Sequence, residues 1–285
     1  MWMTSDRWWR RVNYGRLGGP CWAAAFATAT ILIVSWQALS WAGGAEFAAG
    51  GRVQSSPLVP GGTVLPIALE KTTTLKEAQA GQALEARIMQ EVPLPSGEKI
   101  PLRSLVKGSI VSVGKEEDGL GVKLTLKFNQ VETKKEALTV VTYLRAMASY
   151  DAARAAQIPR TGADGGTPAG WANTTQIGGD IRFGDGGEVR DRGKHKVGKG
   201  VTGGVMVYVK ANPARGCEGP MGDDRPQALW VFSAVACGVY DLKDTTITRK
   251  GKGEPVGEFT LRFEKDDMKL EGGTAMLLRV IAPQP

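Results

Sequence analysis

Gly121-Val122-Lys123-Leu124-Thr125-Leu126-Lys127-Phe128-Asn129 decides the fold class. Val122, Leu124, Leu126 and Phe128 recur at every second position with Lys123, Thr125 and Lys127 between them, which is the period of a strand with one buried and one wet face. The same texture extends in both directions as TVLPIALEK from Thr63, QALEARIMQEV from Gln82, GSIVSVGK from Gly108 and ALTVVTYLRAMA from Ala137. Pro95-Ser96-Gly97-Glu98 and Glu116-Glu117-Asp118-Gly119 supply turn chemistry between such runs. The spacing predicts a mostly β protein, an antiparallel barrel or sandwich.

Downstream the pattern changes. Alanines at helical spacing, closed by Pro159, predict one short helix over 149–158. Residues 161–170 are a turn-rich loop, and the glycine-laden stretch after them holds only brief strand candidates at 179–183 and 188–190. Val205, Val207 and Val209 alternate with Met206 and Tyr208, which suits a strand buried on both faces. A further strand is expected at 228–232, and two or three more before the end. The organisation expected is a β domain over 63–148, a helix and loop over 149–174, and a second β region over 175–285 that forms its own sheet or completes the first.

The amino terminus reads as an address. Cys21 to Trp41 carries no charge, follows an arginine-rich segment, and is followed by a Ser40-x-Ala42 site before Gly43, the pattern of a secretory signal over 1–42 cleaved between Ala42 and Gly43. Twenty-one uncharged residues could also span the ~30 Å hydrocarbon layer as an uncleaved anchor, the only membrane contact expected. Residues 43–62, rich in glycine, alanine, serine and proline, read as a flexible linker. The expected location is the periplasm, outer envelope or exterior. Removal of Cys21 with the signal leaves Cys217 and Cys237 as an even pair, which predicts a disulfide in an oxidising compartment, the alternative being two buried thiols.

Composition narrows the chemistry. The chain has 36 Lys and Arg against 29 Asp and Glu, net +7, but residues 1–42 hold Arg7, Arg10, Arg11 and Arg16 against Asp6 alone, so the remainder carries a surplus of four. That is too diffuse for nucleic-acid binding, and no nucleic-acid partner is expected. A single His excludes zinc sites built on two or more histidines, and His195 lies between Lys194 and Lys196, where an exposed, unused imidazole is expected. Residues 193–200 imitate a phosphate-binding loop, but Gly200 stands where a Ser or Thr should hold magnesium. No cofactor is expected. Asp180, Asp185, Glu188 and Asp191 cluster among glycines, so a calcium loop or a glycosidase pair can be drawn, yet neither has diagnostic spacing. No catalytic residue and no metal site is assigned.

Residues 59–148 resemble the sheet-forming domain of the TrbI family of conjugal-transfer and type IV secretion barrel subunits, through VPGGTVLPIALEKTTT, AGQALEARIMQEV, IPLRSLVKGSIVSVG and GVKLTLKFNQV. The chain departs from the family in the six residues that separate Pro101 from Gly108-Ser109. The whole chain beyond the signal is also similar to uncharacterised exported bacterial β-rich proteins. These likenesses imply an envelope location and a structural role. The expectation is an exported, non-enzymatic envelope module that contacts envelope proteins or glycans. The rivals are a secreted polysaccharide or cell-wall binder and a glycan-acting hydrolase.

Overall fold

The computed structural model describes residues 59–116, 119, 121–160, 172–184 and 186–282. The signal with Ala42 and Gly43, the linker up to residue 58, the loop 161–170 and Asp185 lie outside the described residues. With 47% strand against 6% helix the chain is mostly β.

The chain enters through β1 (Val64–Leu69), makes the short β2 (Thr73–Thr74), and returns through β3 (Ala83–Ile88). A ribbon of β4 (Val92–Pro93) and β5 (Lys99–Ile100) leads into the long hairpin of β6 (Leu105–Lys115) and β7 (Val122–Glu132), then β8 (Ala137–Thr139) and β9 (Thr142–Ala148). Helix α1 (Tyr150–Ala155) separates these from β10 (Asn173–Thr175), β11 (Ile181–Phe183), β12 (Glu188–Arg190), β13 (Lys196–Val201), β14 (Gly204–Val207) and β15 (Gln227–Ala228). The last strands are β16 (Gly238–Tyr240), β17 (Thr245–Arg249), β18 (Glu258–Phe263), β19 (Lys269–Leu270) and β20 (Ala275–Val280).

Strands from both ends of the chain build one ten-stranded sheet in the order β16-β9-β20-β1-β3-β6-β7-β18-β17, with β8 also on β7. All its pairings are antiparallel except β16 with β9. The sheet curls into a nearly closed barrel. Its seam is drawn together where Leu144 N donates to Lys250 O at 2.9 Å and Thr142 Oγ1 to Phe128 O at 3.1 Å. The interior is apolar, with Leu65, Ile67, Leu126, Phe259 and Leu278 buried and the Phe128 and Phe259 rings 6.2 Å apart. On the outer face of β7 and β18 the half-buried Thr125 and the buried Thr260 hydrogen-bond each other at 2.9 Å.

The strands β10 to β15 form a separate six-stranded sheet that covers the outside of β1, β9 and β20. Val64, Ala68, Ala146, Ala148, Ala275 and Leu277 face it, packed with Val189, Val197, Val205, Val207 and Phe232. Each large aliphatic or aromatic side chain buried here contributes about 1.5–3 kcal/mol, and the small alanines let the second layer approach closely. This cover explains why β1, β9 and β20 are buried at every position and read as continuous apolar runs instead of alternating ones. Gln90, 1% exposed, ties the layers: its Oε1 accepts from Val205 N and Trp230 N, and its Nε2 donates to Val205 O.

The structure differs from the sequence reading at three points. Tyr208, just past the end of β14, is 51% exposed, so the burial expected on both faces holds only as far as Val207, with Met206 half-buried against the barrel core. The strand expected at 228–232 ends at Ala228, because Trp230 takes φ +52°, and the apolar segment after it is a buried loop. That loop finds its hydrogen bonds elsewhere: Ile177 N donates to Val231 O and Ser233 N to Ile177 O. The described body also takes in Val59, 1% exposed, inside the stretch read as linker. Its two ends meet, Gly62 N donating to Val280 O and Val280 N to Thr63 O, each at 2.9 Å. Helix α1 forms where expected, capped by Ser149, whose Oγ accepts from Ala152 N at 3.0 Å.

Candidate functional site

The Cys217–Cys237 disulfide is present and staples a loop against the barrel. A β-bulge in β9, opposite Leu277 and Leu278, takes Arg145 out of the ladder. Arg145, 1% exposed, donates through Nη1 to Glu218 O at 2.6 Å and through Nη2 to Lys210 O at 2.7 Å. Arg279, fully buried, donates to Gly219 O at 2.6 Å, and Lys250 Nζ reaches Arg215 O and Gly216 O at 2.8 Å each. Burial pulls the Arg145 guanidinium and the Lys250 ammonium below their ordinary pKa values. Backbone carbonyls of one loop, not carboxylates, receive these bonds from the barrel's cations.

The stapled loop forms one wall of a cleft of about 660 Å³ whose other wall is the turn between β10 and β11. That turn is Gln176-Ile177-Gly178-Gly179-Asp180, closed by Gln176 N donating to Asp180 O at 2.8 Å. Gly178 and Gly179 both have φ near +106°, at +106° and +107°. A Cβ on Gly178 would lie 2.2 Å from Ser233 Oγ and one on Gly179 would lie 2.6 Å from Arg192 Nε, so only a glycine pair permits this path.

Asp180, 2% exposed, accepts from Ala234 N through Oδ2 at 2.7 Å. Burial raises its pKa, opposed by the Ala234 N–H and by the charges of Lys210 and Arg192. Among the described residues its Oδ1 accepts no hydrogen bond, and Asp180 lines the cleft. Asp191 is different: Oδ2 accepts from Lys210 Nζ at 2.8 Å and Oδ1 from His195 N at 2.9 Å. The Lys210 bond first, and the His195 N–H second, lower its pKa to about 2. Arg192 lines the cleft with no hydrogen bond or ion pair among the described residues, and its charge acts on Asp180. Arg215 donates to Cys237 O at 3.1 Å and lies 5.1 Å from the centre of the Tyr240 ring. Asn212 Nδ2 donates to Val235 O at 2.9 Å, leaving its amide oxygen free.

Of the four carboxylates singled out from sequence, the fold brings Asp180 and Asp191 into one cleft. Glu188 lies outside it on β12, bound by Lys196 and Arg190, whose hydrogen bonds lower its pKa. Among the described residues no three His, Cys, Asp or Glu side chains come together. His195 is 79% exposed, its Nδ1 3.3 Å from Asp191 Oδ1. The glycine and lysine run 193–200 is the turn into β13 and the strand itself, paired with β14. Sequence reasoning missed Arg192, Asn212, Arg215 and Tyr240. The available signal was the disulfide: Asn212 and Arg215 precede Cys217 and Tyr240 follows Cys237, so the bridge draws them together. No protein-family model, curated protein or solved structure matches this chain.

Proposed function

We propose that the protein is exported and works in the cell envelope by contact, presenting the cleft of the stapled layer to an envelope protein or glycan and catalysing nothing. The observation that carries this reading is the Cys217–Cys237 disulfide, which fixes the cleft wall and suits an oxidising compartment. The resemblance of residues 59–148 to secretion-barrel subunits, whose role is structural, points the same way. Among the described residues no helix is long and apolar enough to cross a membrane. Crosslinking in intact cells should capture one reproducible envelope partner, and amino-terminal sequencing of the native protein should begin near Gly43. A chain retained in the cytoplasm with both thiols free would overturn the proposal.

One observation favours a hydrolase as second reading: Asp180 and Asp191 line one cleft with pKa values pushed apart, the arrangement of an acid and a base. Turnover of a polysaccharide that is abolished by Asp180→Asn and Asp191→Asn, with the fold intact, would replace the contact reading with this one.

A further inference from the structure

We propose that this cleft binds a neutral saccharide, with neighbouring hydroxyls donating to Asp180 Oδ1 and accepting from Arg192. The inference rests on the contact reading and names the chemistry of what is contacted.

The fold leaves two polar groups of the cleft without a full set of partners among the described residues. Asp180 is almost wholly buried and anchored through one oxygen, so its free Oδ1 is an acceptor fixed in direction. Arg192 makes no hydrogen bond or ion pair among the described residues, although its guanidinium lies close to Gly179. The two feel each other's charge without touching, which leaves a gap between an acceptor and a donor. An anion placed in that gap would face the Asp180 and Asp191 carboxylates, and a cation would face Arg192 and Arg215. A pair of hydroxyls suits both sides, because each hydroxyl donates and accepts at once. The amide oxygen of Asn212, without a donor among the described residues, adds an acceptor, while Val235 supplies apolar surface for the C–H face of a sugar ring. A volume of about 660 Å³ lies within the range of small-ligand pockets.

The test is calorimetric titration of the full-length chain with cellotriose, maltotriose and tri-N-acetylchitotriose. At least one should bind, and Arg192→Ala should weaken it by about tenfold or more, the loss expected for one hydrogen bond to a charged group. Asp180→Asn should weaken it similarly. Should that variant fail to fold, because Asp180 is buried, Arg192→Ala decides alone, since Arg192 is exposed. Glu188→Gln, outside the cleft, should leave the affinity unchanged. Absence of binding by all three sugars, equal binding by Arg192→Ala, or displacement of the sugar by trigalacturonate or trilysine at lower concentration would overturn the inference. If the sugars fail while crosslinking still captures an envelope protein, the saccharide proposal falls and the contact reading survives.

Discussion

The two sides of the barrel obey different rules. On the side of β3 and β7 every second residue is exposed or half-buried, and charged side chains such as Lys123 and Lys127 reach the surface. On the side of β1, β9 and β20 both faces are buried, and the charged residues there, Arg145 and Arg279, hold a second layer in place. A cation on the wet side is decoration for solubility. A cation on the covered side is a post: its energy comes from carbonyls that would otherwise be buried without a donor.

This contrast breaks first at Arg145. Arg145→Ala removes two charge-assisted hydrogen bonds and strands Lys210 O and Glu218 O, so it should lower unfolding free energy by about 3–5 kcal/mol. Lys127→Ala on the wet side should change it by no more than about 0.5 kcal/mol. Urea denaturation of the two variants checks both, and equal losses would erase the distinction between the walls.

The disulfide sharpens it further. Replacing Cys217 and Cys237 by alanine should cost about 3 kcal/mol, chiefly by freeing the unfolded chain. Hydrogen exchange should then quicken around residues 210–237 and leave the β6–β7 hairpin protected. Uniform acceleration across the barrel would mean that the cover and the barrel do not open separately.

The smallest effect expected is acid loosening of the cover. Asp191 has an ordinary pKa of 3.8 lowered to about 2, so its contribution is fully present above 3.8 and is lost as pH falls towards 2. Asp180, raised by burial, works oppositely and loses its contribution as pH rises through its folded value. Between about pH 4.5 and about pH 2.5 the urea midpoint should fall less in Asp191→Asn than in the unaltered protein. Identical falls would remove the Asp191–Lys210 pair from the account.

What the sequence could reveal follows the same division. The wet wall announces itself because burial on one face alone leaves alternation, as in Leu124, Leu126 and Phe128. The covered wall could be read as strands but not placed, since an unbroken apolar run does not say what lies over it. The run from Leu229 to Cys237 misleads for a related reason. It is apolar because it is buried, yet Trp230 at φ +52° and its bonds to Ile177 make it a loop. At the cleft, Asp180 and Asp191 were visible as carboxylates among glycines. Their different fates depend on Ala234 and Lys210, which only tertiary folding brings near.

The meeting of the two ends of the folded body has a mechanical consequence. β1 leaves from Val64 beside Arg279 near the end of β20, so both exits lie at one pole of the barrel. A load pulling those exits apart would peel β1 from β20 one hydrogen bond at a time, the weakest way to strain an antiparallel pair. A load carried through one exit alone passes no tension across the β1–β20 pair, so the same ladder that unzips under opposed pulls stays intact under a single one.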